Sequence, residues 1–141
     1  FAGLLLGPVW GGFGLALYLA VGLAGAPVFS NGSAGLGYVL GPTGGFLVGF
    51  FLAAVLVGAI VHRRVEPRDL REVSVVTLAV ALGVGVVAIY AVGVPWFAWA
   101  QGIPLEAAAT AMAPFLPPDA LKAALTVGAV ASGNEALRRA T

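Results

Sequence analysis

The chain has 141 residues, 60% of them hydrophobic and only 9% charged, and its formal net charge is +1. Soluble domains carry roughly 45–50% apolar and about 25% charged residues, so this composition excludes an ordinary water-soluble globule and predicts a membrane protein. The few charges are clustered and offer no basic surface to nucleic acid, and with no cysteine and one histidine there is no disulfide, no thiolate nucleophile and no metal site.

In chain order, apolar runs occur at 1 to 7, Gly11 to Gly25, Gly44 to Val61, Val73 to about Val94, and Ala120 to about Ser132. They predict an all-α polytopic membrane bundle with about four full spans and the end of one more. The first run reads as the tail of a span that starts before Phe1, because the chain opens inside an apolar stretch without an initiator methionine. The expectation is a single transmembrane domain over 1–141, with the N-terminal helix or helices lying upstream. The 44 to 61 run reaches about 27 Å as a helix, close to the roughly 30 Å of a bilayer's hydrocarbon. The last run spans if Lys122 and Glu135 lie near the two membrane faces.

The stretch "HRRVEPRDLR", 62 to 71, carries Arg63, Arg64, Arg68 and Arg71. The positive-inside rule makes this loop cytoplasmic. The next span then runs outward, "GVPWFAWAQGIPLE" forms an external turn, and the final helix returns Arg138 and Arg139 to the inside. By the same reckoning the segment "GAPVFSNGSAGLGYVLGPTGG", 25 to 45, is external, on the side of Asp119 and Lys122. Glycines at helical spacing, Gly45 with Gly49 and Gly7 with Gly11, fit close helix packing in lipid. "GPTGG" lacks the Gly-Lys-Ser/Thr ending of a phosphate loop.

"FLPPDALKAAL", 115 to 125, puts Asp119 and Lys122 three residues apart at a helix start. The prolines suit a first helical turn, and the acid is favoured by the positive end of the helix dipole. Lys122 gains nothing from that dipole and needs an anion. An intrahelical ion pair at a membrane interface accounts for the two residues. A substrate site accounts for them as well, because ionisable groups in membrane helices mark substrate pathways. The external segment adds Ser30, Asn31, Ser33, Tyr38 and Thr43 as neutral donors and acceptors, and its length and irregularity exceed a plain hairpin. Tyr90, Trp96, Phe97 and Trp99 read first as an interfacial aromatic belt and second as a ligand wall.

An enzyme is disfavoured. "NGSAG" presents a serine between glycines, but His62 lies at the far end of the following span, about 30 Å from that loop, so the two make no catalytic pair.

The runs "APVFSNGSAGLGYVLGPTGGFLVGFFLAAVLVG" (26 to 58), "YAVGVPWFA" (90 to 98) and "APFLPPDALKAAL" (113 to 125) together resemble the BioY family of biotin transporters, in the same order and with similar spacing. The resemblance covers nearly the whole chain. It implies a six-helix membrane bundle, with one helix and part of the next preceding Phe1. It implies the substrate-binding S component of an energy-coupling-factor transporter in the cytoplasmic membrane. Its partners would be biotin, membrane lipid, an energy-coupling transmembrane subunit and an ATPase pair. Biotin would be the transported substrate, and no cofactor is implied. Carried over residue by residue, ligand contacts fall on Asn31 and its loop neighbours, on Tyr90, and on Asp119 with Lys122. The candidate site is therefore Asn31, Ser33, Tyr38, Thr43, Tyr90, Asp119 and Lys122. The chain departs from the family pattern at Pro118, where a glycine is usual. An S component for another small vitamin and a structural or assembly subunit of the membrane are the competing readings.

Overall fold

The computed structural model describes residues 2–62 and 73–138, with side chains placed through 132. Among these residues the chain forms α1 (Ala2–Leu23), α2 (Leu36–Val39), α3 (Gly44–His62), α4 (Val75–Gln101), α5 (Leu105–Met112) and α6 (Leu116–Arg138). Tight 3-10 turns occupy Ser30–Gly32 and Ala113–Phe115, and no strand is present among the described residues. Helices α1, α3 and α4, of 22, 19 and 27 residues, are long and apolar enough to cross a membrane. The 23 residues of α6 give it the length of a fourth span, but Asp119 and Lys122 occupy its opening turns.

The first two apolar runs form one element with its break at Gly7. The backbone there has φ 78 and ψ 178, and Pro8 follows. Glycine alone tolerates that conformation without strain, and Pro8 has no N–H with which to continue the helix. The fold-back is tight: a Cβ on Gly11 would lie 2.7 Å from the Gly3 Cα.

Helix α3 is central, packed on α1 along one side and on α4 along the other. Gly45 lies against Trp96, and a Cβ on Gly49 would stand 2.8 Å from the Ile89 Cα, so this stripe faces α4. Gly58, on a different face, sits equally close to Pro8 of α1. Lipid tails are as apolar as leucine, so such helices associate through dispersion contacts that only small residues permit. Leu4, Val57, Val61, Leu78 and Ala81 form a dry cluster toward the His62 end of α3.

Three element boundaries differ from the sequence expectation. The segment expected as an external turn, 93 to 106, is mostly helix: α4 runs through Pro95 to Gln101 and ends at Gly102, whose φ of 63 lets its N–H and that of Ile103 return to the last turn. Pro95 removes a single helical hydrogen bond, whereas stopping there would expose several backbone groups at membrane depth. Second, α5 fills a stretch for which no element was expected. Third, α6 extends ahead of the apolar run that opens at Ala120: it begins at Leu116, and Pro117 and Pro118 sit in its first turn as expected, where the N–H groups lack helical partners in any case.

The connection from α1 to α3 is ordered by its own contacts. Phe29 is buried against Gly22, stacks on Tyr38 with ring centroids 5.1 Å apart, and meets Tyr18 edge-on. The Tyr18 hydroxyl donates to the Val28 carbonyl at 3.1 Å, and the Trp96 indole N–H donates to the Gly41 carbonyl at 2.9 Å. Arg63, Arg64, Arg68, Arg71 and Arg139, on which the expected orientation rests, lie outside the described residues, as does the side chain of Arg138.

Candidate functional site

Asp119 is the fourth residue of α6, where the prolines of the opening turn aim its carboxylate back at α4. Each oxygen takes one donor. The Tyr90 hydroxyl donates to Oδ2 at 2.9 Å, and the Lys122 ammonium donates to Oδ1 at 3.0 Å. The carboxylate is half-buried, and the lysine is largely exposed. One turn further along α6, the Thr126 hydroxyl donates to the Lys122 carbonyl at 2.8 Å.

Two cavities flank this carboxylate. One, of about 300 Å³, lies between α6, the faces of α3 and α4, and the start of α1; Asp119, Lys122 and Thr126 meet Ala2, Gly3 and Ala54 across it. The other, of about 330 Å³, is walled by Thr43, Phe46, Phe97, Met112 and Phe115, with Tyr90 and Asp119 as polar groups. Phe50, Ile89 and Asp119 line both. Each volume is at the lower end of the roughly 300–1,000 Å³ typical of small-molecule sites, and the largely apolar lining with a few convergent polar groups is the usual make-up of such sites.

The carboxylate has about four lone-pair positions and uses two, and the ammonium has three N–H donors and uses one. The pair therefore retains acceptors and donors side by side, a match for a neutral ligand group that offers N–H and C=O together. The described residues contain no cluster of three His, Cys, Asp or Glu able to hold a metal.

The structure divides the sequence-derived candidates. Thr43, Tyr90 and Asp119 share one cavity, and Lys122 shares the other with Asp119. Asn31, Ser33 and Tyr38 line neither. Asn31 is exposed with φ 57, a left-handed conformation that asparagine tolerates. Tyr38 has its ring on Phe29. The four outer aromatics also separate: Phe97 is a cavity wall, Trp96 ties α4 to the loop, and Trp99 is exposed.

The sequence reading missed Phe46, Phe50, Met112 and Phe115. Phe46 and Phe50, spaced by four, carried a signal as one helix face; Met112 and Phe115 required α5, whose Pro104 start and alanine-rich run were its only sign.

Residues 1–139 match the sequence profile described as the BioY family. The chain is 39% identical over 137 residues to the "Biotin transporter BioY" of Rhodobacter capsulatus, covering 89% of this chain and 68% of that one. It is 36% identical over 125 residues to the "Probable biotin transporter BioY" of Methanothermobacter thermautotrophicus, covering 86% and 79%. Among solved structures, the S-component for biotin from an ECF-type ABC transporter superposes with a TM-score of 0.79 at 32% identity, over 92% of this chain and 67% of the other.

Proposed function

The chain belongs to the BioY family of transporters, and from that premise we propose that it captures biotin between α4 and α6 and passes it across the cytoplasmic membrane. It is a multi-pass membrane protein and not an enzyme. The observation that carries the reading is the Asp119 carboxylate, held by Tyr90 and Lys122 at the boundary of two cavities.

Biotin brings two ureido N–H donors, a ureido carbonyl, an apolar sulfur ring and a carboxylate-tipped chain. In this assignment Asp119 accepts from a ureido N–H, and Lys122 donates to the carbonyl without leaving Asp119. Phe46, Phe50 and Phe97 cover the sulfur ring, and Thr43 offers a hydroxyl at the cavity edge. The resemblance also implies contacts from Asn31, Ser33 and Tyr38, which line neither cavity.

The 141 residues contain no Gly-Lys-Ser/Thr phosphate loop, so ATP use falls to partners. We assign the chain the role of an S component served by an energy-coupling transmembrane subunit and a pair of ATPases, following the solved relative.

Equilibrium binding of radiolabelled biotin to the detergent-purified protein tests the ligand. Saturable binding displaced by unlabelled biotin and by no other vitamin supports the reading. Displacement by a different vitamin reassigns the substrate, and no binding at all refutes it. Uptake into cells with and without the ATPase pair tests the partners.

A further inference from the structure

His62 is the last residue of α3 and stands at the opposite end of that helix from Thr43. Its Nε2 lies 3.1 Å from the backbone carbonyl of Leu4, 58 positions away in the sequence. A carbonyl only accepts, so Nε2 carries the proton and donates. Leu4 needs this donor. Its helical partner four residues ahead is Pro8, which has no N–H, and the break at Gly7 turns the following chain away. Leu4 is buried within the protein, so a carbonyl left there without a donor has no water to replace the lost partner. The same imidazole covers Gly7: a Cβ built there would be 3.6 Å from the ring, on a backbone already at φ 78.

The segment so held is a wall of the first cavity. Leu4 is 2% exposed and belongs to the dry cluster, while Ala2 and Gly3, just before it, line the cavity that Asp119 and Lys122 line from α6. Gly3 also rests on the Ala54 carbonyl, with no room for a side chain. A small rotation of the segment 2–6 would therefore change the cavity's shape. We propose that His62 is a positioning residue for the ligand site, its ring donating the hydrogen bond that Pro8 cannot and so fixing the segment 2–6 against α3. The step from wall to affinity rests on the biotin reading above; the hydrogen bond and the wall do not.

The chain has no cysteine, so one introduced thiol reports on one place. Ala2→Cys and, on the opposite wall, Ala123→Cys are labelled separately with a small water-soluble methanethiosulfonate, without ligand. His62→Phe keeps the ring against Gly7 and removes the donor; His62→Gln restores a donor. In the His62→Phe background the labelling rate at Ala2→Cys is expected to change by about threefold or more, consistent with losing one hydrogen bond. The rate at Ala123→Cys should stay within about twofold, and His62→Gln should bring Ala2→Cys back toward the parent rate. An unchanged rate at Ala2→Cys overturns the proposal, as does an equal change at both thiols, which is general loosening, or a failure of glutamine to restore. Should His62→Phe not fold, His62→Gln decides: a rate at Ala2→Cys within about twofold of the parent supports the proposal, and a larger change overturns it. In the biotin arm, His62→Phe is expected to raise the Kd about threefold to tenfold. A parent protein that binds no biotin refutes the ligand assignment and leaves the labelling outcome to judge His62 alone.

Discussion

The Tyr90 hydroxyl donates to Asp119 Oδ2 at 2.9 Å while Lys122 holds Oδ1 at 3.0 Å, so one carboxylate joins α4 to α6 and orders the lysine beside it. Tyr90→Phe removes one of the two donors and keeps the ring. Biotin affinity is expected to fall by about 0.5–1.5 kcal/mol, a few-fold to about tenfold, through a less fixed carboxylate. Titration calorimetry on wild type and variant checks this; equal affinities would mean that Tyr90 does not orient Asp119.

Asp119→Asn and Lys122→Met each take away a group assigned to the ureido moiety. Each is expected to weaken biotin binding by about 1–3 kcal/mol, the cost of leaving a partly buried polar group unpaired. Size-exclusion profiles of the variants establish that they fold before binding is compared. Full-strength binding in either folded variant removes that residue from the site.

The outer aromatics make a separable prediction. Phe97 lines the second cavity, whereas Trp99 is 73% exposed. Phe97→Ala should lower biotin affinity at least severalfold, by about 1 kcal/mol or more of lost apolar contact, and Trp99→Ala should leave it unchanged. Matched binding isotherms distinguish a ligand wall from an interfacial belt.

Small residues set the helix spacing that makes the cavities. Gly49→Leu drives a side chain into the Ile89 backbone and is expected to cost about 1–3 kcal/mol or more. Gly83 has nothing within 4 Å of a built Cβ, and Gly83→Ala is expected to stabilise α4 by roughly 0.5–1 kcal/mol through lower backbone freedom in the unfolded chain. Thermal unfolding followed by loss of the monodisperse peak should show opposite shifts for the two.

The fold class was legible because hydrocarbon imposes a strong rule: long uncharged runs become helices, as 44 to 61 did within one residue. Asp119 and Lys122 were legible because charge is rare in this chain and their spacing of three puts both on one helix face. The end of α4 was less legible: the external turn expected after about Val94 is helix through Gln101, because Pro95 gives up one helical hydrogen bond and the turn would have left several backbone groups unpaired. The apolar walls were less visible for a different reason. Phe46 and Phe97 look the same in sequence whether they face lipid or a cavity, and only the packing of α3 on α4 decides between them. Asn31 shows a further limit: a polar loop residue suggests a ligand contact, while the left-handed backbone it adopts, which asparagine tolerates, is not legible in the sequence.

A structure of the protein with biotin bound, at a resolution that places the ureido ring, tests the central claim most directly. The account predicts that ring between α4 and α6, with a ureido N–H within hydrogen-bond distance of Asp119 and the ureido oxygen within reach of Lys122. Biotin seated elsewhere, with Asp119 still occupied only by Tyr90 and Lys122, would contradict it.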